Sequence, residues 1–446
     1  MSFQFTFKPL RSNYTFSFPD NSLAASSSTT EVRYPMISSS STSSEHWSVP
    51  YPEGEDFSSI KLNDEGYLVV SGILTDEQVA KTRDSIREDI FNYTFIRRGC
   101  QVDPHDDNNL SLLVDMKERE RRFGEAAKDT VWTQGNTRKP RVSKSTGQTN
   151  VNFNVDKLRN IDFNHKIYRL SSTLYGTHHL AYRTGAERVG MKVKGTTDMP
   201  RHMDKNPWNE EEVNYPIRIQ SLVCLSIDPY MDPRDSGSIC LLANFHHYGD
   251  MAAALFHPVT GLVPMKNNKS RFFTLPTDWD KKYEPALHQH IEGYTRYLHH
   301  GGNPADPTVA QAYASWKTNG IVVPEQVKRV YWKSIPMRPG DIIFWTQDLP
   351  HRNNRNKSTI PRTVAYSNLF PIDENWYGTE EHKWVIHQFR TCQFHYGVDN
   401  GNYPYKIDNV DEHDYLEETG QIETRAAISR ETEIARLLTG QQQYQF

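Results

Sequence analysis

Cysteine is scarce in this 446-residue chain. The four present, Cys100, Cys224, Cys240 and Cys392, form no Cys-x-x-Cys pair. That argues against a zinc knuckle and a dithiol redox motif, and Cys224 and Cys240, set in apolar runs, read as packing residues. Long hydrophobic runs are also missing: none approaches the ~18 residues a membrane span needs. The opening "MSFQFTFKPLRSNYTFSFPD" has no apolar core of the kind a secretion signal carries, and the final "YQF" matches no peroxisomal tripeptide. A cytoplasmic, reducing location is the expectation. Neither sign of charge dominates: 51 Lys and Arg against 55 Asp and Glu leave a net −4. This balance gives no electrostatic ground for a nucleic-acid or membrane-surface partner. The Gly-x-Ser-x-Gly elbow, the P-loop and Gly-x-Gly-x-x-Gly are all absent, so serine hydrolase, nucleoside triphosphatase and dinucleotide readings lack support.

Aromatic residues supply the core. Nine Trp, 23 Tyr and 20 Phe stand in a chain that is only 36% hydrophobic, which reads as a soluble globular body with polar extensions. Residues 1–58 are taken as a disordered, Ser-rich N-terminal segment, because "SSSTT" and "SSSSTSSEH" cannot build a packed core. Residues 59–400 read as one domain and 401–446 as a helical tail. "EGYLVVSGIL" predicts a buried strand. "TDEQVAKTRDSIREDIFNY" predicts a helix, with Thr75 and Gln78 at capping-box spacing and Val79, Ile86 and Ile90 on one face. "MKERERRF" predicts a solvated helix, and the basic run Arg138 to Lys144 a solvated loop rather than a nucleic-acid patch. From residue 186 strands dominate: "IRIQSLVCLSID", "SGSICLLANFHH", Ile342–Trp345 after the Pro339-Gly340 turn, and "RTVAYSNLFP". Two helices within 279–320 read as an insertion, a lid or a partner surface.

The chemistry-bearing residues lie among these strands. His202 and Asp204 are two positions apart, so on a strand their side chains share a face. His351 follows a distant apolar strand, and Arg362 stands eleven residues beyond it. Two imidazoles and one carboxylate occupy one face of an octahedral ion and leave three positions open. A bidentate 2-oxo acid takes two of these and dioxygen the third. The remote carboxylate of that acid needs a permanently charged, forked partner, which suits Arg better than Lys. A zinc hydrolase can use the same three ligands, but hydrolysis has no need of the spaced Arg362. An inactive binding scaffold would be expected to have lost a ligand. His246 and His247 are adjacent, point to opposite faces, and read as turn or core residues. His299 and His300 close a predicted helix, where the dipole accounts for them. Trp208 is either a pocket or a packing residue. Arg352 and Arg355 read as solvated loop residues.

These pieces, in this order, resemble the phytanoyl-CoA dioxygenase-like branch of the iron(II)- and 2-oxoglutarate-dependent oxygenases. The resemblance spans roughly residues 60–372 and rests on "GYLVVSGILTDEQVAKTRDSI", "RHMD", "DSGSICLLANFHHYGD" and "RPGDIIFWTQDLPHRNNRNKSTIPRTVAY". It implies a mostly β chain with flanking helices, whose core is a distorted double-stranded β-helix of the jelly-roll or cupin type. It implies iron bound by His202, Asp204 and His351, with Arg362 on the distal carboxylate of 2-oxoglutarate. It also implies O2 as oxidant, ascorbate as supporting reductant, and succinate and CO2 as by-products. Strand alternation adds Gln220 as a cofactor-binding candidate, and Arg218 beside it. Halogenating relatives lose the ligand carboxylate; here Asp204 is retained, which implies hydroxylation or a related oxidation. The expected substrate is a small molecule, with a nucleobase or a protein side chain as the alternative. Two features depart from the family: Asp204 and His351 are 147 positions apart, and "ANFHHYGD" replaces a Gly-Ser-His-like turn.

Overall fold

A computed structural model of the chain describes residues 48–54, 56–134, 137–140, 147–149, 151–183, 188–209, 219–266, 273–303, 306–321, 326–393 and 410–445. Most of the Ser-rich segment, Arg218, and the part of the basic run beyond Pro140 lie outside these residues. Within the segment expected to be disordered up to residue 58, Val49–Pro50 pairs in parallel with Val70 and Ser71, and Tyr51 is buried beside them.

The first long strand, β1 (Tyr67–Ser71), leads into helix α1 (Asp76–Thr94). The predicted capping box forms. The Thr75 hydroxyl accepts from Gln78 N at 3.2 Å, and the Gln78 side chain accepts from Thr75 N at 3.0 Å. Each bond satisfies a backbone donor that the helix start would otherwise leave open. α1 buries Val79, Ile86, Ile90 and Phe91 in one cluster with Val223 and Leu225 of the sheet beneath it. "MKERERRF" is helical as predicted, Met116–Phe123, but it is not wholly solvated. Arg119 is fully buried, with its guanidinium on the Leu112 and Leu113 carbonyls.

Eight further strands carry the rest: β2 (Val189–Lys192), β3 (His202–Met203), β4 (Ile219–Ser226), β5 (Ile239–Ala243), β6 (Tyr331–Ser334), β7 (Ile342–Thr346), β8 (His351–Asn353) and β9 (Arg362–Tyr366). They form two sheets. One runs β1-β7-β4-β9-β2 between the short edge strands Val49–Pro50 and Gln148–Thr149; the other runs β3-β8-β5-β6, with Phe273–Thr274 outside β3. Along the chain from β2 the strands switch between sheets at every step but one, β2, β4, β7 and β9 lying in the first and β3, β5, β6 and β8 in the second, where the consecutive β5 and β6 pair with each other. Pairing within these eight is antiparallel throughout.

Helix outweighs strand among the described residues, so the chain is mixed rather than mostly β. Part of the excess is the pair α2 (Glu284–His299) and α3 (Pro307–Thr318), joined by Tyr294, Tyr313 and Trp316. Trp279, just ahead of α2, lines a small apolar cavity with Met203 and Pro350. Strand alternation turns Met203 away from the face used by His202. The helical pair is therefore anchored behind the second sheet, rather than lying as a lid over the candidate ligands. The remainder is α4 (Glu380–Thr391), α5 (Val410–Glu418), α6 (Ile422–Glu431) and α7 (Glu433–Leu438). These are packed into the body. Phe389, Leu416 and Leu438 share a core with Phe153 and Tyr182, and the buried Glu412 carboxylate accepts from the backbone N of Asn152 at 2.9 Å and of Phe153 at 2.7 Å. No helix among the described residues is long and apolar enough to cross a membrane.

Candidate metal centre

Strands β3 and β8 are antiparallel neighbours, and their register sets His202 directly opposite His351. Two side chains opposite each other in such a pair share one face of the sheet. The two imidazoles accordingly meet, with ring centroids 4.4 Å apart. Asp204 comes back to the same point from two residues beyond His202. Its Oδ1 lies 3.3 Å from His202 Nε2 and its Oδ2 3.6 Å from His351 Nε2. The three ligand atoms lie within 4.8 Å of one another, forming the one His/Cys/Asp/Glu group of this kind among the described residues.

Both imidazoles are held by the other nitrogen. His202 Nδ1 lies 2.9 Å from the Pro200 carbonyl and His351 Nδ1 3.1 Å from the Leu349 carbonyl. A carbonyl only accepts, so each Nδ1 carries a proton and each ring turns its Nε2 to the centre, where a metal ion would meet it. Asp204 is held in turn. The Gln220 amide donates to its Oδ2, and the Gln347 amide to its backbone carbonyl at 3.4 Å. Trp345 stands edge-on to the His351 ring with centroids 5.5 Å apart and is itself buried.

Burial works against charge on all three groups. It would raise Asp204, but the neighbouring His351 and His202 rings and the Gln220 amide hold its carboxyl well below the usual carboxylate range. His351 is drawn down to about 4 by burial and then by His202. His202 moves up: burial opposes the shift, but the Asp204 carboxylate, bonded to it, overrides that. An ionised carboxylate and a neutral His351 are the forms that a divalent cation binds.

Arg362 is 1% exposed at the start of β9. Its Nη2 donates to Asn353 Oδ1 at a long 3.4 Å, and its Nη1 is buried without a hydrogen-bond partner. A buried donor left open costs about 1–3 kcal/mol, more when it is charged, so the guanidinium is built for an acceptor. Gly190 borders the open donor: a Cβ there would touch Arg362 Nη1 at 3.6 Å and press on Val364 Cγ2 at 3.2 Å. In chemistry the open donor suits a carboxylate, as two imidazoles and a carboxylate suit a metal ion.

Other candidates fall elsewhere. The Trp208 indole donates to the Ala253 carbonyl at 2.9 Å, packs edge-on to Phe273 and also lines the apolar cavity behind the ligand strand. His246 fills the space over Gly66, and His247 meets the Asp64 carbonyl. Arg355 pairs with Asp235 at 3.0 Å and Arg352 reaches toward Asp198 at 3.9 Å. Three residues around the site escaped the sequence reading: Gln347, Trp345 and Lys192. Gln347 and Trp345 sit inside "FWTQDLPH", four and six residues ahead of His351. Lys192 ends an otherwise buried strand, and a lysine there was itself a signal.

No protein-family model matches the chain, and no curated protein does. Solved structures similar to it include a hypothetical protein from Escherichia coli (13% identity, 79% of this chain and 75% of that one, TM-score 0.40). Another is the GlcNAc Inducible Gene 2 protein of Candida albicans (12%, 86% and 75%, TM-score 0.38). A third is the epimerase SnoN, solved with Fe3+, alpha ketoglutarate and nogalamycin RO (12%, 71% and 89%, TM-score 0.33). These likenesses are too distant to place the chain in a family.

Proposed function

We propose that this chain is an iron(II)- and 2-oxoglutarate-dependent oxygenase, of the phytanoyl-CoA dioxygenase-like kind, that hydroxylates a C–H bond of a small molecule. The observation that carries the reading is the combination of His202, Asp204 and His351, turned onto one point, with an open Arg362 guanidinium that reaches Asn353, two residues beyond His351 on the same strand. The distribution of β2 to β9 over two antiparallel sheets, with the chain switching sheets at every step except β5 to β6, supports a double-stranded β-helix as the scaffold.

When bound, iron(II) and 2-oxoglutarate supply the oxidising chemistry, with dioxygen consumed and succinate and CO2 released. The chain supplies the rest. His202 and His351 offer their Nε2 atoms from opposed strands, and Asp204 offers a carboxylate that stays ionised at neutral pH. Gln220 holds that carboxylate and Gln347 the Asp204 backbone carbonyl, so the ligand need not reorganise when the metal arrives. On this account Gln220 orients a ligand rather than touching the co-substrate. Arg362 anchors the remote carboxylate. Trp345, edge-on to the His351 ring, and Leu241, opposite His351 on the neighbouring strand, are both buried and exclude bulk water. Ascorbate would serve only to keep the iron reduced.

A zinc hydrolase would use the same ligands but leave Arg362 without a role. Metal and co-substrate titrations test this directly. Wild type should bind one iron(II) or manganese(II) per chain and then 2-oxoglutarate, and His202→Ala should lose the metal. Zinc retained with no 2-oxoglutarate binding would favour the hydrolase. Salt-dependent retention of DNA or RNA, lost on neutralising the run Arg138 to Lys144, would move the substrate from a metabolite to a nucleobase.

A further inference from the structure

Lys192 lies directly opposite Arg362 on the antiparallel pair β2–β9. Both are buried, Lys192 completely. Like charges directly opposite across a sheet destabilise it, and two buried cations add the cost of lost hydration. The chain nonetheless builds around this lysine. Its Nζ donates to the carbonyls of Thr197 at 2.8 Å, Asn353 at 3.2 Å and Asn354 at 2.6 Å. Gly147 has φ +69°, and a Cβ there would meet Lys192 Cγ at 2.5 Å, so a glycine clears the path of the stem. The carboxylate that acts on Lys192, Asp198, is already engaged by the backbone N of Arg355 at 2.7 Å and by Arg352 at 3.9 Å. Lys192 and Arg362 converge on Asn353, one through its carbonyl and the other through its side chain.

We propose that Lys192 is a specificity-determining residue of the co-substrate site: with Arg362 it forms a doubly cationic, water-excluded cradle that takes the remote carboxylate of a 2-oxo dicarboxylic acid and disfavours 2-oxo acids that lack one. The proposal rests on the oxygenase reading. An arriving carboxylate relieves the repulsion between the two cations; Arg362 meets it through the open Nη1, while Lys192 acts through its field. Two of the three carbonyls, those of Asn353 and Asn354, also tie β2 to the residues just after His351, so filling the cradle stiffens the strand that bears that ligand.

The protonation of Lys192 supplies a signature. Burial first, then the Arg362 guanidinium, draw its amine down to about 7, with Asp198 pulling the other way and Arg352 adding to the fall. Tyr366 and Cys224 also face this corner, next to Arg362; Cys224, pushed up to about 12 by burial, stays neutral. A bound carboxylate raises the amine again. Above pH 7 binding must therefore take up a proton, and affinity should weaken as pH rises.

The test is calorimetric titration of the manganese-loaded protein with 2-oxoglutarate and with 2-oxobutyrate, from pH 6 to 8.5, without turnover. Lys192→Met should weaken 2-oxoglutarate by about tenfold or more at the acid end, leave 2-oxobutyrate unchanged, and abolish the pH dependence above 7 that wild type shows. Lys192→Arg keeps the charge at every pH. It should bind tightly with a flat profile, and it decides the matter if Lys192→Met fails to fold. A folded Lys192→Met that matches wild type in affinity and profile overturns the proposal, as does a Lys192→Arg that retains the wild-type slope. If wild type itself binds no 2-oxoglutarate, it is the oxygenase reading that fails.

Discussion

Replacing Arg362 with methionine removes the open fork while keeping most of the volume. The magnitude follows from what the guanidinium has to offer. Nη1 is buried and uncommitted, and Nη2 holds Asn353 only at 3.4 Å, so both can turn to a carboxylate at little loss. A hydrogen bond to a charged group is worth about 1.5–3 kcal/mol net. Lys192 remains to offset part of the deficit. The net loss should be about 3 kcal/mol, or about a hundredfold in Kd for 2-oxoglutarate. Because this anchor is made equally before and during reaction, saturating co-substrate should restore most of kcat. Arg362→Lys keeps the charge but not the fork and should fall between the two. The assay is titration of the manganese-loaded protein with 2-oxoglutarate, alongside metal stoichiometry and thermal unfolding. A folded, metal-replete Arg362→Met that binds within about threefold of wild type, a difference under 1 kcal/mol, would refute the reasoning.

Gln220→Ala frees the Asp204 carboxylate without touching a ligand; it should cost about 10–100-fold in metal affinity, read by competition with a chelating dye. The pH dependence of metal binding follows from the shifts at the centre. His202 lies above the ordinary histidine value, while His351, at about 4, and Asp204 carry no proton near neutrality. Below the His202 pKa the metal must displace one proton, so affinity should fall about tenfold per pH unit, steepening only toward pH 4. Calorimetry in buffers of different ionisation heat should count that single proton; two protons released at pH 6 would contradict the assignment. Gly66 has φ +90°, and a Cβ there would lie 2.6 Å from His246 Nδ1. Gly66→Ala should therefore destabilise the fold by about 2 kcal/mol in denaturant unfolding while leaving metal binding nearly intact.

The parts of the site that were legible in the sequence were those fixed by local periodicity. A His-x-Asp on a strand would share a face, and an apolar strand after Pro-Gly enters the core, so His202, Asp204 and His351 could be singled out without a structure, although the strand ends at Met203 and Asp204 reaches the centre from the bend beyond it. Gln220 was reached by the same alternation, and the structure sets it on Asp204 rather than on open space. Cross-strand register was not legible. Nothing local shows that His351 pairs with His202, that Lys192 faces Arg362, or that Gln347 reaches the Asp204 carbonyl, because each depends on which strands become neighbours. The helical content was underread for a related reason. The helix His165–Tyr175 and α4 bury their apolar faces on residues far away in sequence, and their local patterns are broken by polar and aromatic positions. The 279–320 helices were legible as helices, but not which side of the sheet they cover. That was decided by Trp279 and Met203 meeting at one cavity.

The central claim is that these three ligands and Arg362 form a working iron and 2-oxoglutarate site. It is tested most directly by succinate formation from 2-oxoglutarate with iron(II), ascorbate and air, measured for wild type beside His202→Ala. The account predicts slow, iron-dependent succinate from wild type even without added substrate, and none from the variant. Absence of succinate from wild type, together with failure to bind either iron or 2-oxoglutarate, would contradict it.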